Sequence, residues 1–269
     1  MRDQEILKKM TTLARETGER VLSLPRPASF RTLLELRAVF EGLDGPLQAL
    51  LHERLGALRP AARWVEELKG RVPDAGEAWV VDAIDGAVQY LQGLPHWCVN
   101  IALVREGVPV IAVLHSTVQS ETYTAVAGGG AARNGLAVRP SQKTELPVAL
   151  IATSQPPFVA KDPGDVERAG RSLSAVLATA GAVRNFGPTS WQVAEVASGR
   201  IDAFWQYGLD DGNLLGASLV AREAGASVTN VLGQPWHAGA RSILVAAPGL
   251  RQRLLDLLPP DGGVPMQVL

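Results

Sequence analysis

The chain has 269 residues, 46% of them hydrophobic and 20% charged, with a formal net charge of -1. That length suits one large or two modest globular units, and the near-neutral balance gives no field favouring nucleic acid or an anionic membrane as a partner. Its one cysteine, Cys98, excludes an intrachain disulfide framework and reads as a small buried hydrophobe between Trp97 and Val99.

The opening "MRDQEILKKMTTLARETGERVL" intersperses charge with apolar residues and has no continuous apolar core of a signal peptide. No run of about eighteen apolar residues occurs, so a soluble, cytoplasmic protein with no membrane partner is expected. Ile6, Met10, Leu13 and Val21 recur at helical spacing and predict an amphipathic helix over 3–23. "LPRPASF" breaks it. "PLQALLHERLGAL" predicts a second helix over 46–58, with Leu47, Leu50, Leu51 and Leu55 on one face. "RWVEEL" and "AWVVDAID" read as strands joined by the turn residues of "KGRVPDAG".

"AVQYLQGL" predicts a short helix. A run of antiparallel strands follows, with turns at "REGVP" and "STVQS" and a glycine-rich turn at "GGGAARNG". "VRPSQKTEL" is a connector. The second half alternates strands and helices: "ALIATS" (149–154) as a strand, then "DVERAGRSLSAVLATAG" (165–181) as a helix with Gly181 as its C-cap. "AVRNFG" and "IDAFWQY" are strands around the helix "SWQVAEVASGR". The helix "NLLGASLVAREAGA", the strands "ASVTNV" and "SILVAAP" and the helix "GLRQRLLDLL" follow; the "PPDGGVP" tail is expected to be loose. The pattern predicts an α/β fold of layered type.

Within "WVVDAIDGAVQY", Asp82 and Asp85 sit at the end of an apolar strand. A backbone leaving the strand can turn both carboxylates and the Ile84 carbonyl toward one point, a donor set that suits Mg2+. Gly86 permits a sharp turn, and the amides of Gly86 and Ala87 would open a helix, where a phosphate binds. An Asx turn with Asp85-Gly86 merely capping a helix accounts for the same residues. Glu66 and Glu67 read alone as a solvated strand end; beside Asp82 and Asp85 they would complete an acidic cluster.

Taken together, "WVVDAIDGAVQYLQGLPHWCVNIALV", "GGGAARNG", "VASGRIDAFWQYG" and "NLLGASLVAREAGASV" resemble, in order and spacing, the signatures of the inositol monophosphatase family. The resemblance implies alternating αβαβα layers, with an antiparallel N-terminal sheet and a mixed C-terminal one. Residues 1–146 would carry the acidic metal site and 147–269 would close the substrate pocket. It implies hydrolysis of a small phosphorylated polyol or sugar by water activated on Mg2+, and a homodimer. Carried over position by position, Glu66, Asp82, Asp85, the Ile84 carbonyl and Asn213 are the metal ligands. Glu66, Asp82 and Asp85 are also catalytic, Gly86 and Ala87 bind phosphate, and Gln206 contacts substrate. Asp44 falls near the outermost metal.

The departures bear on activity. Ala87 replaces the family's threonine, which orients the water; Asn213 replaces its aspartate ligand; Gln206 replaces its glutamate; Val65 and Ala83 replace a glycine and a proline. Loss of a full charge at Asn213 implies weaker binding of a second cation, unless the adjacent Asp210 or Asp211 substitutes. Weakened or redirected hydrolysis is therefore expected, with a catalytically degenerate binding or regulatory protein as the alternative.

Overall fold

The computed structural model describes residues 2–25, 29–65, 72–156 and 158–261. Helix α1 (Asp3–Ser23) buries Ile6, Met10, Leu13, Ala14 and Val21 as one stripe. Helix α2 (Leu33–Leu58) begins well before the expected 46. A capping box starts it: Glu35 N–H donates to Thr32 Oγ1 at 3.2 Å, and Thr32 N–H donates to Glu35 Oε2 at 3.2 Å. Its core residues Leu47, Leu51 and Leu55 all follow Pro46, so the earlier turns carry little periodic signal and the internal proline imitates a start.

Strand β1 (Arg63–Val65) lies parallel to β2 (Glu77–Asp85). Short α3 (Ala87–Leu91) follows, then β3 (Cys98–Arg105), β4 (Val108–Ser116), β5 (Glu121–Val126), β6 (Gly130–Arg133) and β7 (Leu136–Ala137). These seven strands pair in chain order, antiparallel from β2 onward. "GGGAARNG" is thus not one turn but two, with β6 between them.

The second half gives β8 (Leu150–Thr153), α4 (Pro163–Leu177), β9 (Ala182–Arg184), α5 (Thr189–Ala197), β10 (Ala203–Tyr207) and α6 (Asp211–Ala224). Strands β11 (Ser227–Thr229) and β12 (Ser242–Ala246) and helix α7 (Arg251–Leu255) complete it. The sheet order is β11-β12-β10-β8-β9; β12 is antiparallel to both neighbours, and β8 is parallel to both of its own. Gly181 is not the cap of α4, which stops at Leu177. A Cβ at Gly181 would sit 2.4 Å from the Pro147 carbonyl oxygen, so the glycine serves a close backbone approach.

Alternation along the strands builds the layers. Trp79, Val81 and Ala83 of β2 pack with α1 and α2, whereas Ala78 and Val80 join Trp191 of α5, Leu214 of α6 and Phe204 of β10. On the far face of the second sheet, Trp205, Tyr207 and Leu244 meet Val176 of α4 and Leu254 of α7. The order is therefore αβαβα, with α5 and α6 between the two sheets. The tail is held rather than loose as far as Asp261: Tyr207 donates to the Pro259 carbonyl at 2.7 Å, and Ser242 donates to Asp261 at 2.6 Å.

Candidate active site

Strand β2 carries Asp82 on the face toward α5 and α6, paired in register with Asn100 of β3. The register then shifts before Asp85, which pairs with Cys98. That irregularity brings Asp85 into the same buried region, and each aspartate is only 4% exposed. Asp82 Oδ1 accepts from the Ile84 amide at 2.8 Å, which bends the chain between them. Gly86 follows at φ 95°, and a Cβ there would lie 2.6 Å from the His96 carbonyl oxygen. Glycine is therefore required at this step, and α3 opens at Ala87, whose methyl offers no hydroxyl.

Asp85 Oδ2 accepts from the Ser190 hydroxyl at the start of α5 and from the Cys98 thiol at 3.8 Å. Burial pushes the Asp85 carboxyl well above the usual range; the charge on Asp82 adds, and the Ser190 hydrogen bond opposes. Burial, with the Asp85 charge behind it, also pushes the Cys98 thiol up. Cys98 is fully buried in β3, with its thiol against Asp85 and Ser190.

The opposite wall comes from β10 and α6. Gln206 is buried in β10, where its Oε1 accepts from Thr189 Oγ1 at 3.2 Å and its Nε2 donates to Asp210 Oδ2 at 2.7 Å. Asn213 Nδ2 donates to Asp210 Oδ1 at 2.8 Å. Burial raises the Asp210 carboxyl to about 6 against these two amide donors. Asp211 turns the other way, accepting from the Gly239 amide at 2.9 Å. Asn100 Nδ2 reaches the carbonyls of Gly212 at 3.5 Å and Asn213 at 3.4 Å, tying the first turn of α6 to β3.

The region therefore brings together Asp82, Asp85, Gly86 and Ala87 on one side and Gln206, Asp210 and Asn213 on the other, coupled through neighbouring Thr189 and Ser190. Glu66 and Glu67 lie outside the described residues. Asp44 sits inside α2 and accepts from Gln48 of the same helix at 3.3 Å. Among the described residues, no three His, Cys, Asp or Glu side chains form a group that could hold a metal ion. Among the described residues, a cation shell here would draw on carbonyl or amide oxygens as well. Asn213 Oδ1 is an oxygen of that kind, buried and without a hydrogen-bond partner among the described residues.

Ser190, Thr189 and Asn100 escape a reading of the sequence. Asn100 is the one with a usable signal: a polar residue inside the otherwise apolar "CVNIALV" of β3. Ser190 and Thr189 look like ordinary first-turn helix residues until the fold sets them against Asp85 and Gln206.

The model of the Inositol monophosphatase family matches residues 4–259. An inositol-1-monophosphatase of Rhizobium meliloti is 32% identical over 248 residues, covering 88% of this chain and 87% of that one. A protein named Nus factor SuhB, of Pseudomonas aeruginosa, is 32% identical over 166 residues, covering 62% of this chain and 61% of its own. In fold, an IMPase of Thermotoga maritima superposes with a TM-score of 0.81 at 20% identity, covering 94% of this chain and 96% of that one. The family and its curated relatives support phosphoric monoester hydrolysis as the chemistry of this chain. With the family model spanning nearly the whole chain and the relatives agreeing with it, the chain belongs to the inositol monophosphatase family.

Proposed function

We propose that the chain hydrolyses a small phosphate monoester, a phosphorylated polyol or sugar, with Mg2+ as cofactor, at a rate and specificity altered by Ala87, Asn213 and Gln206. The observation that carries this reading is the Asp82–Asp85 pair, buried together where Gly86 turns β2 into α3. Burial raises the Asp85 carboxyl and the Asp82 charge adds to it, a penalty that a divalent cation beside the two carboxylates would offset.

Asp82, Asp85 and the Ile84 carbonyl would hold the cation, with Glu66 completing the shell, and Asn213 Oδ1 would serve a second one. The unpartnered Asn213 oxygen supports that fit. Bound Mg2+ neutralises phosphoryl oxygens and lowers the pKa of a water nucleophile. The amides of Gly86 and Ala87 receive the phosphate through backbone alone, so the loss of a side chain at 87 spares phosphate binding. It does remove a hydroxyl that would position the water, which lowers turnover. Gln206 has both ends of its amide engaged by Thr189 and Asp210, which supports a specificity different from that of a site with a free carboxylate there.

A second reading, a protein that binds a phosphate ester without turning it over, draws on the missing hydroxyl at Ala87 and the neutral Asn213. Phosphate release from inositol monophosphate and a panel of sugar phosphates, followed across a Mg2+ titration, separates the two. Slow release that demands high Mg2+ supports the enzyme. Ester binding without release selects the binding protein, and fast release from inositol monophosphate at low Mg2+ contradicts the weakening. A cytoplasmic location and a homodimer, which light scattering on the purified protein would reveal, belong to the same proposal. The relatives named Nus factor SuhB make a transcription complex a partner worth testing, against the exclusion drawn from net charge alone.

A further inference from the structure

Asp210 holds the N-cap position of α6, yet its side chain makes no cap hydrogen bond. Aspartate at an N-cap ordinarily accepts from the backbone amides of the first turn. Here the carboxylate points inward instead, only 8% exposed, and both its oxygens are taken by side-chain amides: Gln206 Nε2 at 2.7 Å and Asn213 Nδ2 at 2.8 Å.

These three residues form one unit. A carboxylate at 206 or at 213 would set an oxygen against Asp210 at hydrogen-bond distance with no proton between them. With Asp210 in place, amides at both flanking positions are the compatible choice. Because its nitrogen is committed to Asp210, Asn213 leaves its Oδ1 as a buried oxygen with no partner among the described residues. An unpartnered amide oxygen beside a buried carboxylate is a donor set for a hard cation. The Asp210 charge is also felt at Asp85.

We infer that the negative charge absent at Asn213 resides one helical turn earlier, on Asp210, and serves a second divalent cation together with Asn213 Oδ1. Gln206 then also serves as a positioning residue for Asp210. The inference rests on the reading above that a divalent cation occupies the Asp82–Asp85 side.

The test is a Mn2+ titration of the full chain, with free ion counted by electron paramagnetic resonance, on the unmodified protein, on Asp210→Asn and on the swap Asp210→Asn/Asn213→Asp. Two classes of Mn2+ site are expected in the unmodified chain. Asp210→Asn keeps the tighter class and weakens the other by at least about tenfold, as loss of one close charge requires. The swap, which returns the charge to 213, restores it. Unchanged binding in Asp210→Asn overturns the inference, as does a single class in the unmodified chain; both leave the proposed hydrolysis standing. No Mn2+ binding in any form defeats the cation reading itself and this inference with it. Should Asp210→Asn fail to fold, a folded swap with only one class of site is the overturning result.

Discussion

Ser190 donates its hydroxyl to Asp85 Oδ2 across 105 residues of sequence, joining the first turn of α5 to the end of β2. Asp85 otherwise has the weak Cys98 thiol at 3.8 Å on that oxygen. The hydroxyl favours the ionised carboxylate against the burial that disfavours it. Ser190→Ala therefore lets the Asp85 pKa rise further. The acid limb of the rate profile is expected to move to higher pH, with activity at neutral pH falling about tenfold. Ser190→Thr, which keeps the hydroxyl, should hold the limb in place. An unshifted limb in Ser190→Ala would detach the hydroxyl from the chemistry.

Ala87→Thr restores a hydroxyl at the first position of α3. Nothing in the backbone resists it, because the residue is helical and partly exposed. Turnover at saturating Mg2+ is expected to rise on the order of tenfold to a hundredfold, with little change in KM, as for a recovered water-orienting group. Steady-state kinetics on whichever ester the chain accepts measures this, and a rise in KM alone would argue against it.

Gly86→Ala meets two obstacles at once. Its φ of 95° is outside the range L side chains adopt readily, and the new Cβ would approach the His96 carbonyl oxygen to 2.6 Å. A loss of about 2–4 kcal/mol in urea unfolding is expected, together with loss of activity. A variant as stable as the parent would mean that this turn can rearrange freely.

Without divalent cations, stability should depend on pH through Asp210. Its folded pKa of about 6 lies above the ordinary 3.8, so between those values the folded chain holds a proton that the unfolded chain has released. Stability contributed by this group is therefore greatest below about pH 4 and falls as pH rises through 6. The whole span is roughly 3 kcal/mol at about 1.4 kcal/mol per pH unit. Thermal melts in a chelator should show this decline, and Asp210→Asn should lessen it, leaving the part due to the raised Asp85.

Much of this was open to the sequence because β2 is so apolar. Asp82 and Asp85 stand out in "WVVDAID" as groups with no packing reason to be there, and Gly86 marks the turn that displays them. The layered order was legible too, since α4, α5 and α6 alternate with short apolar strands. What remained hidden depends on long-range geometry. Whether Asp210 or Asp211 turns inward is decided by partners at Gln206 and Gly239, and sequence adjacency makes the two look equivalent. The hydrogen-bond direction of Asn213 is likewise set by the acid it meets. The start of α2 was obscured by Pro46, because the turns before it bury nothing that would announce them.

The layered placement of α5 and α6 has a consequence for how such a pocket diversifies. One side hangs from a sheet strand, β2, which pairs with β1 over 78–80 and with β3 as far as Asp85. The other side is a few side chains at the end of β10 and the beginnings of two helices wedged between the sheets. Exchanges at 206, 210 and 213 alter polar groups at one rim while Leu214, Leu215 and Phe204 keep the shared core filled. On the proposed reading, relocating a charge or changing the ester accepted takes only a handful of substitutions at these positions, with the scaffold beneath left as it was.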